Sequence, residues 1–152
     1  MELRGIQEKD FTQNHPGGSL GRRLLTTVDD LMHSGDAIPK VLENASSSSV
    51  LGEISKTRLG VTLVTDQDGK LKGLVTDGDL RRVMGKGKDI SQMNASNMMA
   101  KNPKTITKET LAAKAVQIME QHSITSLVVS KEKGDEIEGI IHLHDILKAG
   151  VV

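Results

Sequence analysis

Two short stretches hold the side chains best able to do chemistry. In the first, Thr76-Asp77-Gly78-Asp79 is followed by Arg81 and Arg82. Thr76 and Asp79 stand at the spacing of a capping box, in which hydroxyl and carboxylate each accept from the other residue's amide. The same geometry suits a phosphorylated ligand. Free N–H groups at a helix start bind phosphate, a threonine hydroxyl donates to it, and an aspartate accepts from ribose hydroxyls. Arg81 and Arg82 lie one turn into that helix, either as a solvated pair or as phosphate partners.

The second stretch is His142-Leu143-His144-Asp145, in which a histidine takes the threonine's place and degrades the expected capping box. His142 and His144 would share one side of a strand, with Asp145 beside them. Such imidazoles either line a polar pocket as donors to a carboxylate or phosphate, or are satisfied by backbone. A structural metal site needs about four protein ligands. No convincing further ligands stand near this pair, so neither a metal nor any other cofactor is expected. His15 precedes Pro16-Gly17-Gly18, a turn that would hold it in place. Histidine is the usual acid or base near neutral pH, but a lone one reads first as a surface residue.

Both stretches end a duplicated unit. Gly73-Leu74-Val75 leads into the first and Gly139-Ile140-Ile141 into the second, 66 residues later, with an acid six residues after each glycine. Each unit opens on a similar segment, Val28-Asp29-Asp30-Leu31-Met32 or Ala95-Ser96-Asn97-Met98-Met99, followed by a short extended piece. A helix comes next. Leu111, Ala115, Ile118, Met119 and His122 fall on one face, and Thr110 can cap it. The matching helix has Ser46 or Ser47 at its start and Val50, Leu51 and Ile54 on its apolar face. Val61-Thr62-Leu63-Val64-Thr65 and Ser126-Leu127-Val128-Val129 are rich in β-branched residues and read as strands. Asp68-Gly69 signals a hairpin into the strand that ends at the chemistry. The order in each copy is strand, helix, strand, strand, helix, a mixed α+β unit. A copy of this size is uncomfortable alone, so two should share a core. The boundaries expected are 1–25 for a lead segment, 26–88 for the first copy and 89–152 for the second.

Composition narrows the function classes. Twenty basic and twenty acidic residues cancel, and Phe11 is the one aromatic. Neither a cationic footprint nor a stacking platform is present, so nucleic acid and anionic membrane surfaces are set aside. With no cysteine, disulfides and thiol nucleophiles are excluded, in agreement with a cytoplasmic protein. No apolar run approaches the roughly 20 residues of a membrane helix, and the first residues lack the pattern of a signal peptide.

Two copies of this unit, each ending in glycine, two apolar residues and an acid-bearing helix start, resemble a tandem pair of CBS domains (a Bateman module) over about residues 26–150. The resemblance implies two copies packed sheet to sheet with pseudo-twofold symmetry, and clefts that take nucleosides or nucleotides. It carries Thr76, Asp79 and Asp145 over as ligand contacts, while His142 departs from the family's threonine. His15-Pro16-Gly17-Gly18, Asp30-Leu31-Met32-His33, His122-Ser123-Ile124-Thr125-Ser126 and His142-Leu143-His144-Asp145 are also similar to the D-arabinose 5-phosphate isomerases of the KdsD/KpsF type. In that family a sugar isomerase (SIS) domain precedes the CBS pair and converts ribulose 5-phosphate to arabinose 5-phosphate, towards Kdo and lipopolysaccharide.

That likeness implies a regulatory half with a remnant of the catalytic half, including His15 as a former active-site residue, and no isomerase activity by itself. The implied ligand is CMP-Kdo, the activated product of the pathway, with AMP or ATP as the alternative. Thr76, Asp79, Ser126, His142, His144 and Asp145 are the candidate contacts, with Arg81 and Arg82 for phosphate. The implied partners are a second copy of the chain and the SIS domain. A purely structural role in holding subunits together is the rival reading.

Overall fold

The computed structural model describes residues 24–132, 134 and 136–151; His15 and the rest of the lead segment up to residue 23 lie outside them. A short helix α1 (Val28–Leu31) and a 3₁₀ turn precede strand β1 (Lys40–Leu42). Helix α2 (Ser47–Thr57), strands β2 (Val61–Thr65) and β3 (Leu71–Thr76), and helix α3 (Asp77–Gly85) complete the first repeat. The second repeat runs α4 (Ala95–Met98), β4 (Ala100–Lys101), β5 (Thr105–Ile106), α5 (Ala112–His122), β6 (Ser126–Ser130), β7 (Ile137–His142) and α6 (Leu143–Lys148). The strand–helix–strand–strand–helix order is therefore present twice, as the sequence predicts.

The strands form two sheets, in the orders β1-β2-β3-β4 and β5-β6-β7. β1 runs parallel to β2 as β5 does to β6, and β2 runs antiparallel to β3 as β6 does to β7. The register shifts at the same place in both, between Val64 and Thr65 and between Val129 and Ser130. All five residues of β2 are buried, because its two faces meet different partners. Val61 and Leu63 turn to the other sheet, where they join Ile38, Val128 and Ile140 in a core shared by both repeats. Val64 turns the other way, into a core with Val50, Ile54, Val75 and Leu80 from α2, β3 and α3.

Each repeat lends its opening helix to the other. Val28 of α1 is fully buried among Ala115, Met119, Leu127, Ile141 and Ile146 of the second repeat. Ala95 and Met98 of α4 fill the corresponding place in the first repeat's core. Backbone bonds fix the exchange: Val28 N donates to the Thr110 carbonyl at 2.8 Å and Ala95 N to the Ala45 carbonyl at 2.9 Å. The chain next runs along the last strand of the other repeat, with His33 bridging to Ile140 of β7 and Ala100 pairing with Leu74 of β3. A glycine makes each crossing passable. A Cβ at Gly73 would stand 2.8 Å from the Ala100 carbonyl oxygen, and one at Gly139 would stand 2.7 Å from that of His33.

The helix starts depart in part from expectation. Ser46 caps α2 and accepts from Ser49 N at 3.2 Å. Thr110 does not cap α5; Leu111 is its N-cap residue and makes no side-chain cap bond. The buried stripe of α5 is Ala112, Ala115 and Met119, while Leu111 turns outward. Leu51 is likewise exposed on α2. On α5 the small alanines Ala112 and Ala115 share a core with Val28 and Leu127.

Candidate functional site

At the end of β3 the chain turns from strand to helix at Thr76. Its backbone is extended and its hydroxyl accepts from Asp79 N at 3.1 Å. The Asp79 carboxylate accepts in return from Thr76 N at 2.9 Å and from the Thr76 hydroxyl at 3.0 Å. The next amide, Asp77 N, donates to the Gly60 carbonyl at 3.2 Å. Gly60 has a φ of +72°, and a Cβ there would meet the Asp77 carboxylate at 3.0 Å, so glycine lets loop and helix start touch. Few donors of this turn are left for a ligand. Side chains, more than backbone, must do the binding.

Those side chains surround a cleft of about 520 Å³ between the repeats. Thr76, Asp77, Gly78 and Arg81 form one wall. The segment of residues 100–104 forms a second, with Lys101, Asn102 and Lys104. Residues 123–126 and His142 close the third side, and Val61, Leu74 and Val128 supply an apolar floor. Asn102 and Ser123 both adopt left-handed backbone, with a φ of 54° each. For Ser123 this is the residue that ends α5. Such positions are uncommon for residues other than glycine, and here they aim both loops at the cleft.

The predicted residues divide into two groups. Thr76, Arg81, Ser126 and His142 line the cleft together. Asp79, Arg82, His144 and Asp145 are not among its lining residues. Asp79 is 6% exposed and accepts from the Arg82 guanidinium as well as from Thr76, so it acts on the site through Thr76. His144 is exposed on the first turn of α6 and not on the strand, so it does not share a strand face with His142. Asp145 accepts from His142 N at 3.0 Å and lies 3.0 Å from His33 Nε2.

The expectation of a degraded box at His142 is also overturned. His142 Nδ1 accepts from His144 N at 3.0 Å, and the box to Asp145 is complete. An unprotonated ring nitrogen serves as well as a hydroxyl oxygen here. Burial pushes the His142 imidazole below its ordinary value; Asp145 pulls it up less strongly, and the neighbouring His144 and His33 add smaller downward pushes. The same box recurs at Thr27/Asp30 and Asn94/Asn97, so the helices α1, α3, α4 and α6 start alike.

Sequence reading missed Lys101, Asn102, Lys104, Ser123 and Thr125. Their signal was slight, a Lys-Asn-Pro-Lys turn and the residues after a helix. Nothing local says that they face Thr76. Among the described residues, no three or more histidine, aspartate or glutamate side chains are grouped to hold a metal ion, and no helix is long and apolar enough to cross a membrane.

Comparison with known proteins agrees with this architecture. The CBS domain model matches residues 28–86 and 95–152. The whole chain is 45% identical to arabinose 5-phosphate isomerase KdsD of Pseudomonas aeruginosa and 41% identical to KdsD of Escherichia coli K12. It spans 46% of the length of each. Among solved structures it resembles an uncharacterized conserved protein from Pyrococcus horikoshii, with a TM-score of 0.74 and 23% identity over 84% of this chain and 93% of that one. It also resembles CBSX2 in complex with AMP, with a TM-score of 0.70 and 22% identity over 83% of this chain and 96% of that one. The CBS domain pair of MJ0100, in complex with 5-methylthioadenosine and S-adenosyl-L-methionine, gives 0.72 and 19% over 82% and 94%. At these identities the structures speak for the fold. Two matched segments, folded as repeats that share a core and exchange their opening helices, make this chain a member of the CBS-domain family.

Proposed function

We propose that the chain is the regulatory, ligand-sensing CBS pair of a cytoplasmic D-arabinose 5-phosphate isomerase, and that a nucleotide or nucleotide sugar occupies its cleft. The observation that carries this is the cleft itself, where hydroxyls, amide groups and cations from both repeats converge on an apolar floor. Thr76, Thr125 and Ser126 suit a sugar's hydroxyls, the floor suits the face of a base, and Arg81 suits a phosphate. Asp79 and Asp145 hold the two helix starts in shape. The identity to KdsD supports the choice of enzyme.

CMP-Kdo is the ligand this reading favours, with its phosphate and carboxylate both in need of donors, and feedback is its purpose. The likeness to CBSX2 with AMP and to MJ0100 with adenosine compounds supports an adenine nucleotide as the second reading. Regulation follows if the ligand binds one state of the enzyme better than another. In the same reading a SIS domain precedes residue 26, His15 belongs to its active site, and CBS pairs associate as a homodimer.

Calorimetry of the chain with CMP-Kdo, AMP and ATP tests the proposal. Heat from CMP-Kdo at lower concentration than from AMP or ATP is expected. The reverse order would favour the adenine reading, and no heat from any of the three would sink the sensing function.

A further inference from the structure

The internal repeat allows the cleft to be compared with the position related to it by the duplication. Ala100 pairs with Leu74 as His33 pairs with Ile140. Two residues further on, Asn102 and Gly35 both have positive φ. Thr76 caps α3 as His142 caps α6. With these anchors the correspondence of the walls is fixed. Arg81 answers to Leu147, Lys101 to Ser34 and Lys104 to Ala37. Asp77 answers to Leu143, Ser123 to Arg58 and Pro103 to Asp36.

The charge does not survive the comparison. The cleft carries Arg81, Lys101 and Lys104 against Asp77 alone, and all four side chains are exposed. No acidic partner is bonded to any of the three cations among the described residues. At the related position one arginine, Arg58, stands against one acid, Asp36, and the counterpart of Arg81 is the half-exposed Leu147. There, too, His33 is engaged by Asp145 at 3.0 Å, where the cleft has only the methyl of Ala100. One copy thus keeps three uncommitted cations around a concavity, and the other keeps none beyond a balanced pair. Like charges gathered without counter-ions repel one another, and an anionic guest removes that cost.

Resting on the reading of the cleft as a nucleotide site, we infer that it selects a ligand carrying two or more negative charges, clamped by Arg81, Lys101 and Lys104. The chain therefore binds one equivalent of it, not two. Charge, and not the identity of the base, sets most of the affinity, since no phenylalanine, tyrosine or tryptophan lines the cleft to stack on a base. Phosphates that reach all three cations gain more than a single one held by Arg81.

The test is calorimetric titration of the full chain with two series, adenosine, AMP, ADP and ATP, and cytidine, CMP, CDP and CTP, together with pyrophosphate. Affinity is expected to rise by about tenfold from mono- to triphosphate in each series that binds, at a stoichiometry of one. Arg81→Ala, Lys101→Ala and Lys104→Ala should each weaken the triphosphate about three- to tenfold and leave the nucleoside unchanged. These are surface truncations, and a far-ultraviolet spectrum checks that each variant is folded. A nucleoside binding as tightly as its triphosphate, two equal equivalents, or variants with undiminished affinity would overturn the inference while the nucleotide reading stands. Pyrophosphate binding without any nucleotide would keep the clamp and remove the nucleotide reading. Silence from every probe would remove the clamp, and silence from CMP-Kdo as well would remove the nucleotide reading.

Discussion

His142→Thr puts the histidine cap to a direct test. His142 Nδ1 accepts from His144 N, which requires a neutral ring with its proton on Nε2. Burial and the two nearby histidines hold the folded-state value below the ordinary 6.5. The unfolded chain therefore binds more protons in the window between the folded value and 6.5, and stability rises with pH across it. Read downwards, stability that is intact above 6.5 is lost as pH falls, until the folded value is reached. Part of that loss is the cap's acceptor, worth about 1 kcal/mol, which protonation at Nδ1 removes.

Threonine, the residue at the related position 76, restores an acceptor that does not titrate in this range. The two proteins should be of similar stability at pH 8. The variant should gain on the parent as pH falls below 6.5, up to the worth of the cap, about 1 kcal/mol, or about 2–4 °C in Tm for a chain of this size. Thermal melts followed by circular dichroism at pH 8, 7, 6 and 5 measure the difference, and comparing variant with parent cancels the titrating groups that do not interact with His142. His142→Ala, which removes the acceptor outright, should be weaker than the parent by about 1 kcal/mol at pH 8, with the gap closing in acid. Melting curves for parent and threonine variant that shift in parallel across this range would refute the reasoning.

Other consequences of the fold are open to equally simple measurements. Asp79→Ala removes the acceptor for Thr76 N and the partner of Arg82 at a buried site; urea titration should show a loss of about 2 kcal/mol. Gly73→Ala and Gly139→Ala force a methyl against the carbonyls of Ala100 and His33. Each should cost about 1–3 kcal/mol by the same titration, and a cost near zero would mean that the crossing segments are not held as described. Val28→Ala opens space in the second repeat's core although Val28 belongs to the first. It should lower the stability of the whole chain by about 2 kcal/mol in one cooperative transition. If fluorescent labels placed in the two repeats reported separate transitions, the exchanged helices would not be coupling them.

Much of the fold can be read from spacing alone. Period-2 and period-3.6 patterns are local, so the repeat and its order of elements follow from the residues themselves. The capping boxes are equally local, since i and i+3 must meet when the chain turns from strand to helix, as Thr76 and Asp79 do. Locality also explains the misreadings. His142 looked like a lost cap because the hydroxyl was missing, and His144 looked like a strand residue because alternation continues past the point where the backbone turns.

The site depends on contacts the linear order does not contain. Lys101 and Lys104 join Thr76 and Arg81 only because β4 pairs with β3 across the repeat boundary, which Gly73 permits. Val28 and Met98 settle in each other's repeats for the same reason. Sequence by itself determined which units form and which side chains cap them. Tertiary structure decided which unit's cations face which unit's helix start, because that depends on burial shared between segments far apart in the chain.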